Sequence, residues 1–120
     1  MNVKVAILGC SGRMGRNLIE AALAHKSVEL VGGSVRVGSS FENFDLGELA
    51  GVGAIGAKTT TDYQSLLSAD VLIDFTTIES TLKNIEWCQQ HNKAIVIGTT
   101  GFSEQQITSI KDAGKNIPLI

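Results

Sequence analysis

Proline occurs once in this 120-residue sequence, at Pro118, and cysteine twice, at Cys10 and Cys88. Two distant cysteines with no C-x-x-C pair exclude a disulfide framework, a zinc ribbon and a dithiol redox motif. Both read as small buried hydrophobes. Charged residues make up 18% of the chain and aromatics 5%, against a usual charged share of about 25%. That composition excludes disorder and coiled coil. Ten basic and twelve acidic residues leave a formal net charge of −2, which argues against nucleic acid as a partner, since that needs a basic stripe. No apolar run approaches the ~18 residues of a membrane span. The run Val5–Leu8 is shorter than the signal-peptide core of about 7–15 residues. No membrane partner is expected, and the expected location is cytoplasmic. Ile7-Leu8-Gly9-Cys10 has the outline of a lipoprotein cleavage box, but its cysteine comes too early. H-E-x-x-H, the Walker G-x-x-x-x-G-K and G-x-S-x-G are all missing, and no metal site is expected. Tyr63 has Leu67, not lysine, four residues on, which removes a tyrosine–lysine catalytic pair.

Glycine is what the chain has in excess, 13 residues against a usual ~7%. Its placement is ordered. Val3–Leu8 reads as a buried strand, Gly9–Gly12 as a turn, and Arg13 to about His25 as a helix with Leu18, Ile19, Ala22 and Leu23 on one face. A second strand starts at Val28 and runs to about Val35, completing a βαβ unit. Residues 38–58 read as a long glycine-punctuated loop. Thr61–Gln64 opens a short helix, with Gln64 at the capping-box position. Val71–Phe75 is a strand. Thr76 and Glu79 have capping-box spacing before a helix striped by Leu82, Ile85 and Cys88. Ala94–Ile97 is a strand, and Ser103 with Gln106 caps a helix striped by Ile107, Ile110 and Gly114. Ile117–Ile120 begins a last strand. Apolar strands alternating with amphipathic helices predict an α/β fold: a doubly wound, Rossmann-type parallel sheet with helices on both faces.

Gly9-x-x-Gly12-x-x-Gly15 directly follows a strand and opens a helix. Unpaired N–H groups and the helix dipole make such a start an anion site, provided no side chain blocks the approach. The pattern departs from G-x-G-x-x-G at Ser11, and a purely structural glycine turn is the alternative. The second strand ends Ser34-Val35-Arg36, where an NAD-binding domain usually carries Asp or Glu; Glu29 is at the wrong, starting end. Arg36 suits a 2′-phosphate, favouring NADP over NAD, with an ordinary solvated arginine as the alternative. Asp74, at the end of a strand, is either a polar wall of the site or a helix cap. Gly98-Thr99-Thr100-Gly101-Phe102 lies on the same sheet edge and could hold the nicotinamide carboxamide; a glycine turn with threonine caps is the alternative. His25 and His91 sit near helix C-termini, where histidine complements the dipole. Trp87 reads as a packing residue.

Together Gly9-Cys10-Ser11-Gly12-Arg13-Met14-Gly15-Arg16, Asp74-Phe75-Thr76 and Val96-Ile97-Gly98-Thr99-Thr100-Gly101-Phe102 resemble the dihydrodipicolinate (4-hydroxy-tetrahydrodipicolinate) reductases of bacterial and plant lysine biosynthesis. Gly47-Glu48-Leu49-Ala50-Gly51 also matches that family. The resemblance implies an NAD(P)H-dependent reductase delivering hydride to a small cyclic dicarboxylate, with NADPH preferred and NADH as the alternative donor. It implies that Gly9, Cys10, Ser11, Gly12, Arg13 and Met14 hold the pyrophosphate, Arg36 the 2′-phosphate, and Gly98, Thr99 and Thr100 the nicotinamide end. The family's catalytic histidine and lysine belong to a motif, H-H-x-x-K-x-D-x-P-S-G-T, in a second domain that also carries the homotetramer interface. That motif is absent here, so no catalytic residue is expected in this chain. Residues 1–120 are expected to be a dinucleotide-binding domain cut before that second domain, with an apolar edge exposed around Ile117–Ile120. The expected behaviour is cofactor binding without turnover. The alternatives are a non-catalytic dinucleotide-sensing module and another two-domain dehydrogenase sharing this first half.

Overall fold

The first strand, β1 (Val3–Leu8), sets the layering of the molecule. The computed structural model describes residues 3–99, 101–115, 117 and 119. Successive strand side chains point to opposite faces. Val5 and Ile7 accordingly enter one core with Ile19, Leu30 and Leu46, and Ala6 and Leu8 enter another with Leu72, Ile85, Cys88 and Ile95. A strand apolar on both sides needs cover on both. Helix α1 (Arg13–Ala24) and the short α2 (Leu46–Leu49) cover the first face; α3 (Ile78–His91) and α4 (Glu104–Ala113) cover the second.

The other strands are β2 (Val28–Ser34), β3 (Thr59–Thr60), β4 (Val71–Asp74) and β5 (Ala94–Ile97). Among the described residues the sheet order is β3-β2-β1-β4-β5, every pair parallel. The chain winds outward from β1 in one direction, then returns and winds in the other. This is the doubly wound, Rossmann-type sheet expected from the sequence. Beyond β5, Leu119 bridges Ile95 in parallel where a last strand was expected; Pro118 and Ile120 lie outside the described residues. Ile117 is 3% exposed and belongs to the second core. The exposed apolar edge expected there does not include it.

Several local expectations shift. Leu23 is exposed, while Ile19 is buried as expected with Leu18 and Ala22 packed beside it, and α1 also buries Gly15. The buried face of α3 is Thr81, Asn84, Ile85 and Cys88, with Leu82 half-buried. On α4, Ile107 and Gly114 are exposed and Ala113 is buried, with Ile110 packed beside it. The cap of α3 is Thr77, whose side chain accepts from Ser80 N–H, not Thr76. Thr76 is unavailable because both its N–H and its hydroxyl donate to Asp74. The short helix after Thr61 is a 3-10 turn, Tyr63–Leu66, capped by Asp62. The capping box of Ser103 and Gln106 forms as expected.

The segment 38–58 is more ordered than its glycine content suggests. Asp45 caps α2 by accepting from Gly47 and Glu48, and it also accepts from Ile55 and Gly56. One carboxylate thus clips both ends of the loop together. Leu46 and Leu49 are buried below it, and Phe41 meets Phe44 edge to face at 5.7 Å. No helix among the described residues is long and apolar enough to cross a membrane.

Desolvation acts to raise the Asp45 pKa, but the N–H groups of Gly56, Ile55, Glu48 and Gly47 outweigh it and hold the carboxyl below its usual value. A group whose folded pKa is depressed contributes stability above its unfolded pKa and loses it as pH falls through the folded one. Asp45→Asn should therefore speed amide exchange at Ile55 and Gly56 at neutral pH. In the unmodified chain the same two amides should lose protection only in acid, once the pH passes below the ordinary aspartate range. Exchange read by NMR checks both; protection unchanged in Asp45→Asn contradicts the clip.

Candidate functional site

The turn after β1 is drawn tightly against the end of β2. Gly9 N–H donates to the Ser34 carbonyl (3.1 Å) and to Ser34 Oγ (3.1 Å). Cys10 donates to the same carbonyl through its N–H (3.0 Å) and its thiol (3.3 Å). Gly9 has φ +73°, a conformation that side chains disfavour. A Cβ on Gly15 would lie 2.6 Å from Cys10 Cα and 2.7 Å from the Gly9 carbonyl oxygen. Glycine at 15 is what lets α1 start directly over the turn. Gly12 is the N-cap of α1 and supplies no side-chain cap. The first intrahelical bond runs from Arg16 N–H to the Gly12 carbonyl, so the helix leaves the N–H groups of Arg13, Met14 and Gly15 without an intrahelical partner. The first turn carries no acidic residue. A Cβ on Gly12 would meet only Gly9 O, at 3.7 Å. Glycine at 12 is therefore not required by packing, and its bareness keeps the approach to the helix end open.

Three adjoining hollows run along the C-terminal edge of the sheet. The central one, about 500 Å³, lies between the ends of β1 and β4 and is walled by Gly9, Gly12, Ser34, Tyr63, Phe75 and Thr76. Through Ser11, Arg36 and Val37 it meets a second, about 410 Å³, that reaches Gly38 and Phe41. Through Phe75, Thr76 and Thr77 it meets a third, about 310 Å³, walled by Ile78, Gly98 and Thr99. The centre of this trough lies where strand order reverses about β1, the place where open α/β sheets take ligands. Among the described residues none of the three linings includes a carboxylate, and Arg36 contributes a guanidinium. Arg16 Nε donates to the Ser11 carbonyl (3.2 Å), and its guanidinium sits 5.2 Å from the Phe41 ring centroid.

Beneath the trough runs a buried polar chain. Asp74, fully buried, accepts from Thr76 N–H (2.9 Å), the Thr76 hydroxyl (2.6 Å) and Asn84 Nδ2 (2.8 Å). Tyr63 donates its hydroxyl to Asn84 Oδ1 (2.6 Å). Thr81 donates to Thr99 Oγ1 (2.9 Å). Burial pushes the Tyr63 hydroxyl above its usual pKa, and the Asp74 charge adds to the effect. Asp74 is therefore neither a wall of the trough nor the cap of α3. It is the anchor of the floor.

The family model described as "Dihydrodipicolinate reductase, N-terminus" matches residues 3–120. The chain belongs to the dihydrodipicolinate reductase N-terminal family. It is 66% identical over its whole length to a 4-hydroxy-tetrahydrodipicolinate reductase of Colwellia psychrerythraea, covering 45% of that protein. It is 45% identical over 98% of its length to the enzyme of the same name in Chromohalobacter salexigens, covering 44% of that one. Among solved structures, a dipicolinate-bound dihydrodipicolinate reductase from Paenisporosarcina sp. TG-14 matches at 27% identity and TM-score 0.74, over 95% of this chain and 43% of that one. The chain thus spans less than half the length of these relatives.

The trough has the uncapped start of α1 at its centre and a further hollow on either side. Of the ten residues expected to hold cofactor, Gly9, Ser11, Gly12, Arg36, Gly98 and Thr99 line it. Arg13 and Met14 are exposed at the helix end and do not line the hollows; what they offer there is backbone N–H. Cys10 is turned inward and fully buried, its N–H taken up by Ser34, and burial pushes its thiol up to about 12. Its part is structural. Thr100 lies outside the described residues. Gly98 also has a packing reason, since a Cβ there would fall 2.1 Å from the Phe75 ring. Glu29 pairs in register with Lys4 at the opposite end of the sheet. His25 is the C-cap of α1, and His91 ends α3 with Nδ1 2.8 Å from the Trp87 carbonyl. Among the described residues no acidic, cysteine and histidine cluster could hold a metal.

The sequence reading weighed Tyr63 only for a tyrosine–lysine pair and passed over Ser80, Thr81 and Asn84. The signal for the last two was present: polar residues at i and i+3 on the face that also carries Ile85 and Cys88. A cleft of about 530 Å³ between α3 and α4 is comparable in size, but it exposes helix sides and includes Glu86 and Asp112. It offers an anion no helix end.

The two glycines separate fold from access. Gly15→Ala forces backbone apart and should destabilise the chain by about 1–3 kcal/mol. Gly12→Ala should change stability by less than about 1 kcal/mol, as its φ of −73° suits alanine. Urea unfolding of both variants measures the difference; equal losses contradict this assignment.

Proposed function

We propose that this chain is the NAD(P)H-binding part of a reductase that transfers hydride to 4-hydroxy-tetrahydrodipicolinate in diaminopimelate and lysine biosynthesis, a cytoplasmic enzyme. Residues 1–120 act as one dinucleotide-binding domain. The substrate-binding and homotetramer-forming parts of the complete enzyme lie outside it. The carrying observation is the continuous trough, with the uncapped start of α1 in its middle, Arg36 on one side and Thr99 on the other. When bound, the cofactor supplies the hydride. The chain's own residues bind and orient it.

The backbone N–H groups at Arg13, Met14 and Gly15 point their partial positive charge where a pyrophosphate would rest. Arg36, exposed beside Val37, offers charge-assisted bonds to a 2′-phosphate. The position before it is Val35, and no carboxylate stands there to favour a free ribose hydroxyl, so NADPH is preferred over NADH. Thr99 faces the nicotinamide end. Hydride transfer also needs the substrate held against the nicotinamide and a proton donor beside it. Among the described residues the trough lining holds no histidine, lysine or carboxylate, so the chain by itself binds cofactor without turning substrate over. Membership of a family whose relatives are named reductases favours this reading over a stand-alone dinucleotide sensor.

Calorimetric titration at low salt tests the assignment. Arg36→Ala should weaken NADPH binding by about 10- to 100-fold, the worth of a charged hydrogen-bonding group, and leave NADH binding within about twofold. Gly12→Ala, which spares the fold, should abolish binding of both. Equal loss of NADPH and NADH in Arg36→Ala would remove the arginine from the 2′-phosphate site.

A further inference from the structure

An interior helix face that carries a hydroxyl and an amide is unusual, because a buried polar group costs stability unless it is paired. Thr81 and Asn84 of α3 are 0% and 3% exposed. Both are paired, and the pairs lead in different directions. Asn84 Nδ2 donates to Asp74 Oδ2 at 2.8 Å, tying α3 to the end of β4. Thr81 Oγ1 donates to Thr99 Oγ1 at 2.9 Å, tying α3 to the loop after β5. Thr81 Oγ1 also lies 3.4 Å from Thr76 Oγ1, whose own proton goes to Asp74 Oδ1 at 2.6 Å. With both protons given elsewhere, the hydroxyls of 76 and 81 touch without a hydrogen bond between them; α3 is tied to the buried carboxylate through Asn84 and to the rim of the trough through Thr81.

Thr81 itself does not line any of the three hollows, whereas Thr99 does. The loop holding Thr99 is attached to β4 one residue earlier, where Gly98 N–H donates to the Asp74 carbonyl at 2.8 Å. Past that bond, the hydrogen bond that the Thr99 side chain accepts among the described residues comes from Thr81. A threonine hydroxyl with one lone pair occupied by Thr81 has its own proton, and one remaining lone pair, for a ligand. Those are the complements of the carbonyl and amine of a carboxamide.

We propose that Thr81 is a positioning residue: its hydroxyl fixes the orientation of Thr99, and through it the nicotinamide half of a bound cofactor, while the adenosine half is indifferent to it. The proposal rests on the reading of the trough as a dinucleotide site. It separates the two halves of the ligand because Thr99 lines the hollow at one end of the trough, whereas Arg36 and the glycine turn line the other two. Thr81→Val keeps the shape and removes the hydroxyl; Thr81→Ser keeps the hydroxyl and removes a methyl group.

The test titrates the unmodified chain and both variants with NADPH and with adenosine 2′,5′-bisphosphate, which carries the adenosine and the 2′-phosphate but no nicotinamide. The Thr99 side-chain rotamer, from three-bond scalar couplings, is read in the same proteins without ligand. Thr81→Val should weaken NADPH by about 2- to 10-fold, the worth of one net hydrogen bond. It should leave adenosine 2′,5′-bisphosphate within about twofold and turn the single Thr99 rotamer into an average of several. Thr81→Ser should restore all three. Equal loss of both ligands in Thr81→Val means general damage to the fold and overturns the proposal. So does an unchanged NADPH affinity, a serine variant no better than valine, or an unmodified chain that gains nothing from the nicotinamide half. If the unmodified chain binds neither ligand, the dinucleotide reading fails and the proposal falls with it. A Thr99 rotamer that still responds to Thr81→Val in that case identifies the failure as one of the site, not of the hydrogen bond.

Discussion

Everything at the ligand edge depends on how closely α1 approaches the turn it grows from. The Ser34 carbonyl gathers three donors from Gly9 and Cys10, which curls the turn over the end of β2. Gly15, without a Cβ, lets the first turn of the helix come down onto that curl. Were the helix held even one methyl group further off, its N–H groups would no longer aim along the trough. The same close approach buries the Cys10 thiol, raises its pKa to about 12 and so keeps it an uncharged packing group.

Across the switch point, Asp74 plays the matching part for β4. A carboxylate with no solvent exposure is tolerated because two donors from Thr76 and one from Asn84 surround it. These bonds decide local structure nearby. They withdraw Thr76 from capping α3, move the cap to Thr77, and set the polar face of α3 toward the loop after β5. Two glycine-bearing loops and one strand end are thereby brought to a common edge, one by backbone geometry and the other by a buried charge.

Where structure follows from neighbours in sequence, the residues were readable. The apolar run of β1, the bounds of β5 and the capping box of Ser103 and Gln106 depend on contacts within a few positions. So did the glycine turn, whose position between strand and helix marks it. The parallel sheet followed from the alternation of elements and the handedness of their connections. What could not be read depends on distant partners. Asp45 orders the segment 38–58 by reaching Ile55 and Gly56, some ten residues on. Tyr63 reaches the site only because the 3-10 turn packs against Asn84, and Thr81 only because β5 returns Thr99 beside it. Helix stripes also slipped: Leu23 and Ile107 are apolar yet exposed, since each helix rests on the sheet along a narrower strip than its apolar residues span.

The central claim is that the trough over the ends of β1 and β4 is the cofactor site. Titrating the isotopically labelled chain with NADPH while following backbone amide shifts tests it most directly. The account predicts that the changes gather at Gly9 to Gly15, at Arg36 and Val37, at Phe75 to Thr77, and at Gly98 and Thr99. Changes gathered instead along the cleft between α3 and α4, with the glycine turn silent, would contradict it.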